Sequence, residues 1–371
     1  MKIILLLFIS VVCIYAQEKE LSFFDAQDKQ FDLSEYMSQV YGFIPVPIII
    51  TEPSVGYGGG VALVYLHDNL LGKKTKSGRR VPPSISGIIG AATENGTKIG
   101  GAFHIGYWRE DTIRTTTYIG YPDIFIDIYK DDNAIAMNMK GFFAYQNVKF
   151  RVSESDFFIG ASYMYIAPDI SFDLPLLEQD FGKTVNISSV GLLADFDTRD
   201  NKISPNKGMY LSAKALFYDK NLGSDYTLQR YKASTLFFNQ LSKQFNLDFN
   251  LIGETVNGEK IPPYLLPFVM MRGIPIMRYQ GESILSLETQ LTYRFKPRWS
   301  ALVFGGVART FGTQVLTQSI DFKDAPNIYA GGVGFRYLIA KKFGLRMGID
   351  IAKSKNDKAF YIQFGSAWKG F

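Results

Sequence analysis

Few side chains in this sequence are of the kinds that make or break bonds. His67 and His104 are its only imidazoles and Cys13 its only thiol. An acyl-transfer site on a membrane protein needs a serine hydroxyl beside an imidazole base on the lipid side. His104 lies on the polar register of the segment Lys98–Trp108, so it is expected to face away from lipid. Asp195, Asp197 and Asp200 offer oxygen ligands suited to calcium. Asp, Asn, Pro and Gly at that place are equally what the backbone of a tight turn uses. Gly56-Tyr57-Gly58-Gly59-Gly60 lacks the Lys-Ser/Thr of a phosphate loop. Gly72-Lys73-Lys74-Thr75 lacks the upstream glycine, and the basic stretch Lys73 to Pro83 suits solvent or anionic headgroups. One cysteine is too few for a thiolate metal or redox centre. The expectation is therefore no catalytic residue, no metal and no cofactor.

Composition narrows what holds these residues. The 40 Lys+Arg against 35 Asp+Glu leave a scattered +5, which does not point to nucleic acid. With 47% hydrophobic and 15% aromatic residues the chain is not disordered. A helical membrane bundle needs apolar runs of about 18 residues, and beyond the N-terminus the longest run is Phe43 to Ile50. Met1-Lys2 followed by the uncharged stretch Ile3 to Ala16 predicts a signal peptide over 1–16, which marks an exported protein and removes Cys13. Residues 17–42 predict a periplasmic preamble. In it Asp32 and Glu35 form an acidic variant of a capping box, and Leu33, Tyr36, Met37 and Val40 share one apolar face of a short amphipathic helix. That helix either packs against the main domain or lies at a membrane surface.

From about Val55 the hydrophobic period becomes two. Leu285, Leu287, Thr289, Leu291 and Tyr293 alternate with Ser286, Glu288, Gln290, Thr292 and Arg294. Leu345, Met347, Ile349 and Ile351 alternate with Arg346, Gly348, Asp350 and Ala352; Leu247, Phe249 and Leu251 alternate with Asn246, Asp248 and Asn250. Ile99, Gly101, Phe103, Ile105 and Tyr107 alternate with Lys98, Gly100, Ala102, His104 and Gly106. Such segments have one apolar and one wet face. Their length suits a bilayer crossing, and aromatics gather near their ends as in interfacial girdles. The expected fold is all-β, a 16-stranded antiparallel transmembrane β-barrel over 43–371. Fifteen segments are clear and bacterial single-chain barrels have even numbers. The missing strand comes either from a fold-back of 112–129 at Gly120-Tyr121-Pro122-Asp123 or from Phe43 to Ile50.

Three places carry a signature: Asp197-Thr198-Arg199-Asp200-Asn201 with Pro205 and Gly208; Met271-Arg272-Gly273-Ile274-Pro275 in a Pro-rich stretch between two strands; and the C-terminal run from Gly332 through Arg336, Leu345-Arg346 and Asp350 to Phe371. In this order and spacing the chain resembles the bacterial surface antigen domain, the sixteen-stranded barrel of the outer-membrane assembly factors of the BamA/TamA superfamily. The resemblance implies a long loop folded into the lumen, whose arginine, here Arg272 beside Gly273, pairs with a carboxylate on the inner wall. A loop in a wide polar lumen needs such an anchor, and Arg offers a planar five-donor fork. Where many members carry Phe-x-Asp-x-Gly, this chain reads Phe304-Gly305-Gly306-Val307-Ala308, so Glu288 is the candidate acceptor. The last strand resembles an insertion signal, with Phe360, Ile362, Phe364 and Trp368 on one face, Gly365 before Trp368, and Trp368 or Phe371 as its end. Residues 17–42 cannot hold a periplasmic docking (POTRA) domain. The expected function is non-enzymatic help in inserting or translocating outer-membrane components, among outer-membrane lipids and with a periplasmic or outer-membrane protein partner supplying docking. A passive pore and an outer-membrane hydrolase are the alternatives.

Overall fold

A computed structural model describes residues 22–74, 80–130, 132–315 and 319–368, so the expected signal peptide and Phe371 lie outside the described residues. One antiparallel sheet contains eighteen strand segments. Its wall runs β1 (Gly42–Ile50), β2 (Gly58–Leu66), β3 (Ile85–Thr93), β4 (Lys98–Trp108), β5 (Ile113–Gly120 and Asp123–Lys130), β6 (Asn133–Arg151), β7 (Phe157–Phe172) and β8 (Ile187–Asp197). It continues through β9 (Gly208–Tyr218), β10 (Leu228–Gln240), β11 (Phe245–Gly258), β12 (Ser283–Arg294), β13 (Trp299–Phe311), β14 (Ile328–Ala340), β15 (Leu345–Ser354) and β16 (Lys358–Phe364).

The two pieces of β5 are a single run. Both pair with β6 in one unbroken register, Gly120 opposite Phe143 and Asp123 opposite Lys140. Pro122 interrupts the ladder because it has no N–H to give; its carbonyl still accepts from Gly141 N–H at 3.0 Å. The chain does not fold back there, and Phe43 to Ile50 supplies the extra strand as β1. The remaining segment of the eighteen, Lys183–Thr184, is two residues flanking β7. Neighbouring strands in the chain pair all along the wall, while β1 pairs only with β2 and β16 only with β15. Among the described residues no ladder joins β1 to β16, so both are edge strands of the sheet.

Alternation assigns the two faces. Val303, Tyr329, Val333 and Ile351 are each more than half exposed and lie on one side of β13, β14 and β15, while Asp350 on the other side is 0% exposed. The first belongs against lipid and the second in the lumen. The polar registers of β11, β12 and β15 point inward as expected, but in β4 the assignment is reversed. Tyr107 faces Arg114 and Lys202 inside, and Phe103 joins a ring row with Tyr118 and Tyr145. His104 shares the outward side with Ala102 and the exposed Trp108. Rings line the lumen here, and the small residues Gly100 and Ala102 fall to the lipid side. At the end away from the chain termini, an apolar core of Ile128, Met137, Ile170, Leu177, Val256, Leu265 and Met277 fills the barrel.

The preamble docks on the other end, where β1 starts and β16 stops. The helix α1 is Ser34–Gln39. Its half-buried face of Leu33, Tyr36, Met37 and Val40 has the expected spacing, and Leu33 N–H bonds Ile339 O at 2.7 Å. Of the two expected placements, packing against the main domain is the one adopted. The capping box is not formed: Asp32 N–H goes to Phe23 O, and the Asp32 carboxylate is shared between Ser34 N–H at 2.6 Å and Arg298 at 2.7 Å. The Arg298 side chain, 1% exposed, also binds Asp28 at 2.6 Å and lies 3.4 Å from Asp25. A buried cation must be paired, so Arg298 gathers three aspartates and fixes the preamble.

Two outcomes test this arrangement. Val303→Arg, on the lipid side, should cost about 2–4 kcal/mol by the depth scale for barrel walls, checked by urea unfolding in vesicles; no loss would place Val303 off the lipid face. The guanidinium of Arg298 holds the Asp28 carboxyl below its ordinary 3.8. Burial pushes Asp32 up, but bonds from Ser34 and Arg298 outweigh it and leave it below that value too. Depressed carboxylates stabilise above their unfolded pKa and lose this as pH falls through the folded one. Limited proteolysis should therefore find the preamble protected at pH 5 and cut only below about pH 4.

Candidate functional site

Residues 259–282, between β11 and β12, turn into the lumen, and most of the segment is buried. Its centre is Arg272. The guanidinium Nε donates to Glu288 at 2.7 Å and Nη1 to Asp350 at 3.0 Å, while the Arg272 backbone N–H donates to the other Glu288 oxygen at 3.0 Å. The planar group lies 3.6 Å from the Phe304 ring centre. Asp350 is held in turn by two bonds from Arg336, at 2.6 and 2.8 Å. The expected pairing with Glu288 is present. Asp350 is the partner that sequence reasoning missed, although it sits on the polar register of β15 and within the C-terminal signature. The residues at 304–308 explain their own composition. Phe304 forms the floor under the guanidinium, and a Cβ on Gly306 would meet the Met271 sulfur at 2.3 Å.

The same loop reaches both ends of the sheet. Gly273 N–H donates to the Tyr361 hydroxyl of β16 at 3.1 Å, and Gly273 has the positive φ of +91° that this approach requires. Ile276 N–H donates to Ser54 Oγ at 3.0 Å and Glu52 at 3.2 Å, just after β1. Arg278 binds Asp132 at 2.7 Å and lies over the Tyr129 ring at 4.1 Å.

The end of β16 departs from expectation. Phe360, Ile362 and Phe364 lie on the outward register opposite Ile351, Ile349 and Met347. Trp368 does not share their face. Gly365, at φ +79°, turns the chain into the lumen, where a Cβ would come 2.4 Å from Ile203 O. Trp368 is then 7% exposed, donates from Nε1 to Glu288 at 2.8 Å, and packs on Tyr210, Leu236 and Phe238. The tail thus lands on the carboxylate that anchors Arg272.

The turn signature fills the space below. Asp197 takes a two-pronged bond from Arg199 at 2.8 and 3.0 Å, and Arg199 covers the Tyr210 ring. Asp200 accepts from Asn206 and Lys207 N–H, Asn201 accepts from Ile203 and Ser204 N–H, and Gly208 has φ +100°. These are turn bonds, as expected. The turn also crosses the lumen. Lys202 reaches the Tyr107 ring of β4 at 5.0 Å, while on the far side Asn201 bonds Phe343 O at 2.7 Å and Ser366 N–H bonds Ile203 O at 2.7 Å. Arg294 holds Asn206 at 2.7 Å, and Pro205 and Asn206 line a remaining cavity of about 60 Å³.

On the outward face, Ser86 stands between the two histidines, 2.8 Å from His67 Nε2 and 2.8 Å from His104 Nδ1. Nucleophilic catalysis also needs a third group orienting the base. Among the described residues no ion pair joins a carboxylate to either imidazole, and His104 Nε2 has no hydrogen-bond partner. No group of metal-ligating side chains suited to an ion occurs among the described residues.

No protein-family model matches the sequence, and no curated protein sequence matches it. Solved structures do match the fold. BamA from Haemophilus ducreyi lacking POTRA domains 1–3 superposes with TM-score 0.56 at 12% identity, over 87% of this chain and 68% of that one. The chain has the BamA-type outer-membrane barrel fold. CdiB from Escherichia coli gives TM-score 0.57 at 8% identity over 86% of this chain, and CdiB from Acinetobacter baumannii 0.53 at 8% over 87%. The chain spans 61% and 59% of those two CdiB chains.

In this BamA-type barrel, Asp350→Asn leaves Arg336 without a carboxylate and Arg272 with one. Breaking a buried pair from one side costs about 3–5 kcal/mol. Trp368→Phe removes one bond to a charged acceptor, about 1.5–3 kcal/mol. The temperature at which the compact, fast-migrating gel band disappears should fall further for Asp350→Asn than for Trp368→Phe; the reverse order would contradict the cluster.

Proposed function

We propose that this protein assists the insertion or translocation of outer-membrane components through the seam between β1 and β16, with the loop 259–282 as an internal brace. The observation that carries the reading is the contrast at the seam. The two edge strands share no ladder among the described residues, yet one buried loop bonds to Tyr361 on one side and to Glu52 and Ser54 on the other. Unpaired strand edges are templates for another strand, so a wall held by a brace instead of a ladder can open without losing its shape. The tail strengthens the reading: Trp368 ties the end of β16 to Glu288, so moving the last strand disturbs the arginine anchor. A periplasmic or outer-membrane protein that presents the component to the seam belongs to this proposal, as do the lipids around it.

The function proposed is non-enzymatic. A passive pore is disfavoured by the turn 198–207 and the tail, which occupy the periplasmic side of the lumen. The test is a pair of measurements on purified protein in vesicles. Wild type should accelerate membrane insertion of an unfolded barrel client severalfold over empty vesicles and show no stable open conductance in planar bilayers. Arg272→Ala should lose that acceleration or the folded band. A steady pore without any effect on the client would overturn the assignment in favour of a passive barrel.

A further inference from the structure

The preamble carries an apolar feature that its docking does not use. Phe24 and Phe31 form an isolated antiparallel bridge, and they remain 61% and 41% exposed. Exposed rings on a soluble segment invite a partner, and their position identifies which. The Phe31 carbonyl accepts from the Tyr337 hydroxyl at 2.7 Å. Tyr337 lies on the outward register of β14 with the exposed Phe335 and Val333, and packs on Trp299 at 4.4 Å. Trp299, Phe335 and the exposed Phe295 extend the same belt, with ring centres 5.0 and 6.2 Å apart. The Phe pair therefore adjoins an aromatic girdle of the kind that sits at the level of lipid headgroups.

Charge agrees with that placement. The acids of the hairpin are turned inward and neutralised: Asp28 and Asp32 by Arg298, Asp25 by Arg298 and Lys341. Lys29 and Lys342 remain exposed at this end, and exposed lysines near a bilayer surface attract anionic headgroups. The Arg298 side chain is nearly sealed from solvent, so the hairpin is held in one orientation.

We propose that the hairpin at Phe24 and Phe31 enters the periplasmic leaflet of the membrane, so that the surface recognised by the preamble is the lipid itself. The preamble then serves as an interfacial foot extending the girdle beyond the barrel wall, clamped by Arg298. The barrel covers the apolar face of α1; the lipid contact is made by the two rings ahead of it.

Cys13 is the only cysteine, so Phe24→Cys, Phe31→Cys and, as control, Glu35→Cys can each be made in a Cys13→Ser background and spin-labelled. Power-saturation measurements on the full chain in vesicles of zwitterionic and anionic phospholipid read depth without any client. Labels at 24 and 31 should be several times more accessible to oxygen than to a water-soluble nickel complex, with the opposite ratio at 35. Adding Arg298→Gln should make the first two labels mobile and water-accessible while the folded gel band survives. Labels at 24 and 31 as open to nickel as the one at 35 would overturn the proposal and leave the rings to a protein partner. Depth unchanged by Arg298→Gln would overturn the clamp.

Discussion

A guanidinium enclosed in a protein lumen has to be matched, and the interior of this barrel is organised around that requirement. Arg272 lies inside, away from bulk water, and an unmatched charge there would cost far more than any one contact in the wall contributes. Two carboxylates from β12 and β15 and a ring from β13 meet the need, and Arg336 from β14 holds one of those carboxylates in place. Four neighbouring strands thereby take part in holding one loop residue. An exposed pair of the same residues would be worth at most about 1 kcal/mol; enclosure makes this one decisive.

Two consequences follow for the sheet. The loop that carries Arg272 becomes a fixed body, and its neighbours Gly273 and Ile276 reach the two ends of the sheet that do not pair with each other. Both ends of the sheet are thus held from inside. The segment after β16 is drawn into the same cluster, because Gly365 turns it inward and Trp368 finds the Glu288 carboxylate. Together with the turn that carries Lys202 and Asn206, the residues after β16 occupy the lumen at the end where the preamble docks. A pore-like wall is therefore combined with an occupied interior.

Another arginine repeats the principle at the rim where the preamble docks. Arg298 gathers Asp25, Asp28 and Asp32 much as Arg272 gathers Glu288 and Asp350. There the outcome is to fix an otherwise short segment against the end of β14. Asp32 shows why local patterns mislead here. Its side chain does accept from Ser34 N–H, as a helix start would ask, but its other oxygen serves a residue more than 250 positions away.

What the sequence determined by itself was local. A period of two, strand lengths near a bilayer crossing and aromatics at strand ends follow from backbone geometry acting on a few consecutive residues, and they sufficed for an all-β wall and for the inward faces of β11, β12 and β15. Glycine and Asx chemistry at 197–208 was legible for the same reason. Only the tertiary structure decided which way β4 faces, because its small outward residues and ringed inward ones invert the usual polarity, and a strand cannot signal what fills the lumen beside it. Likewise, Glu288 lies 16 residues from Arg272 and was found, whereas Asp350 lies 78 residues away and was not assigned. Trp368 continues the aromatic series of β16 on paper, but one glycine with positive φ sends it to the opposite side of the wall. Pairings across a lumen depend on curvature and closure, which sum over every strand, and no window of sequence contains that sum.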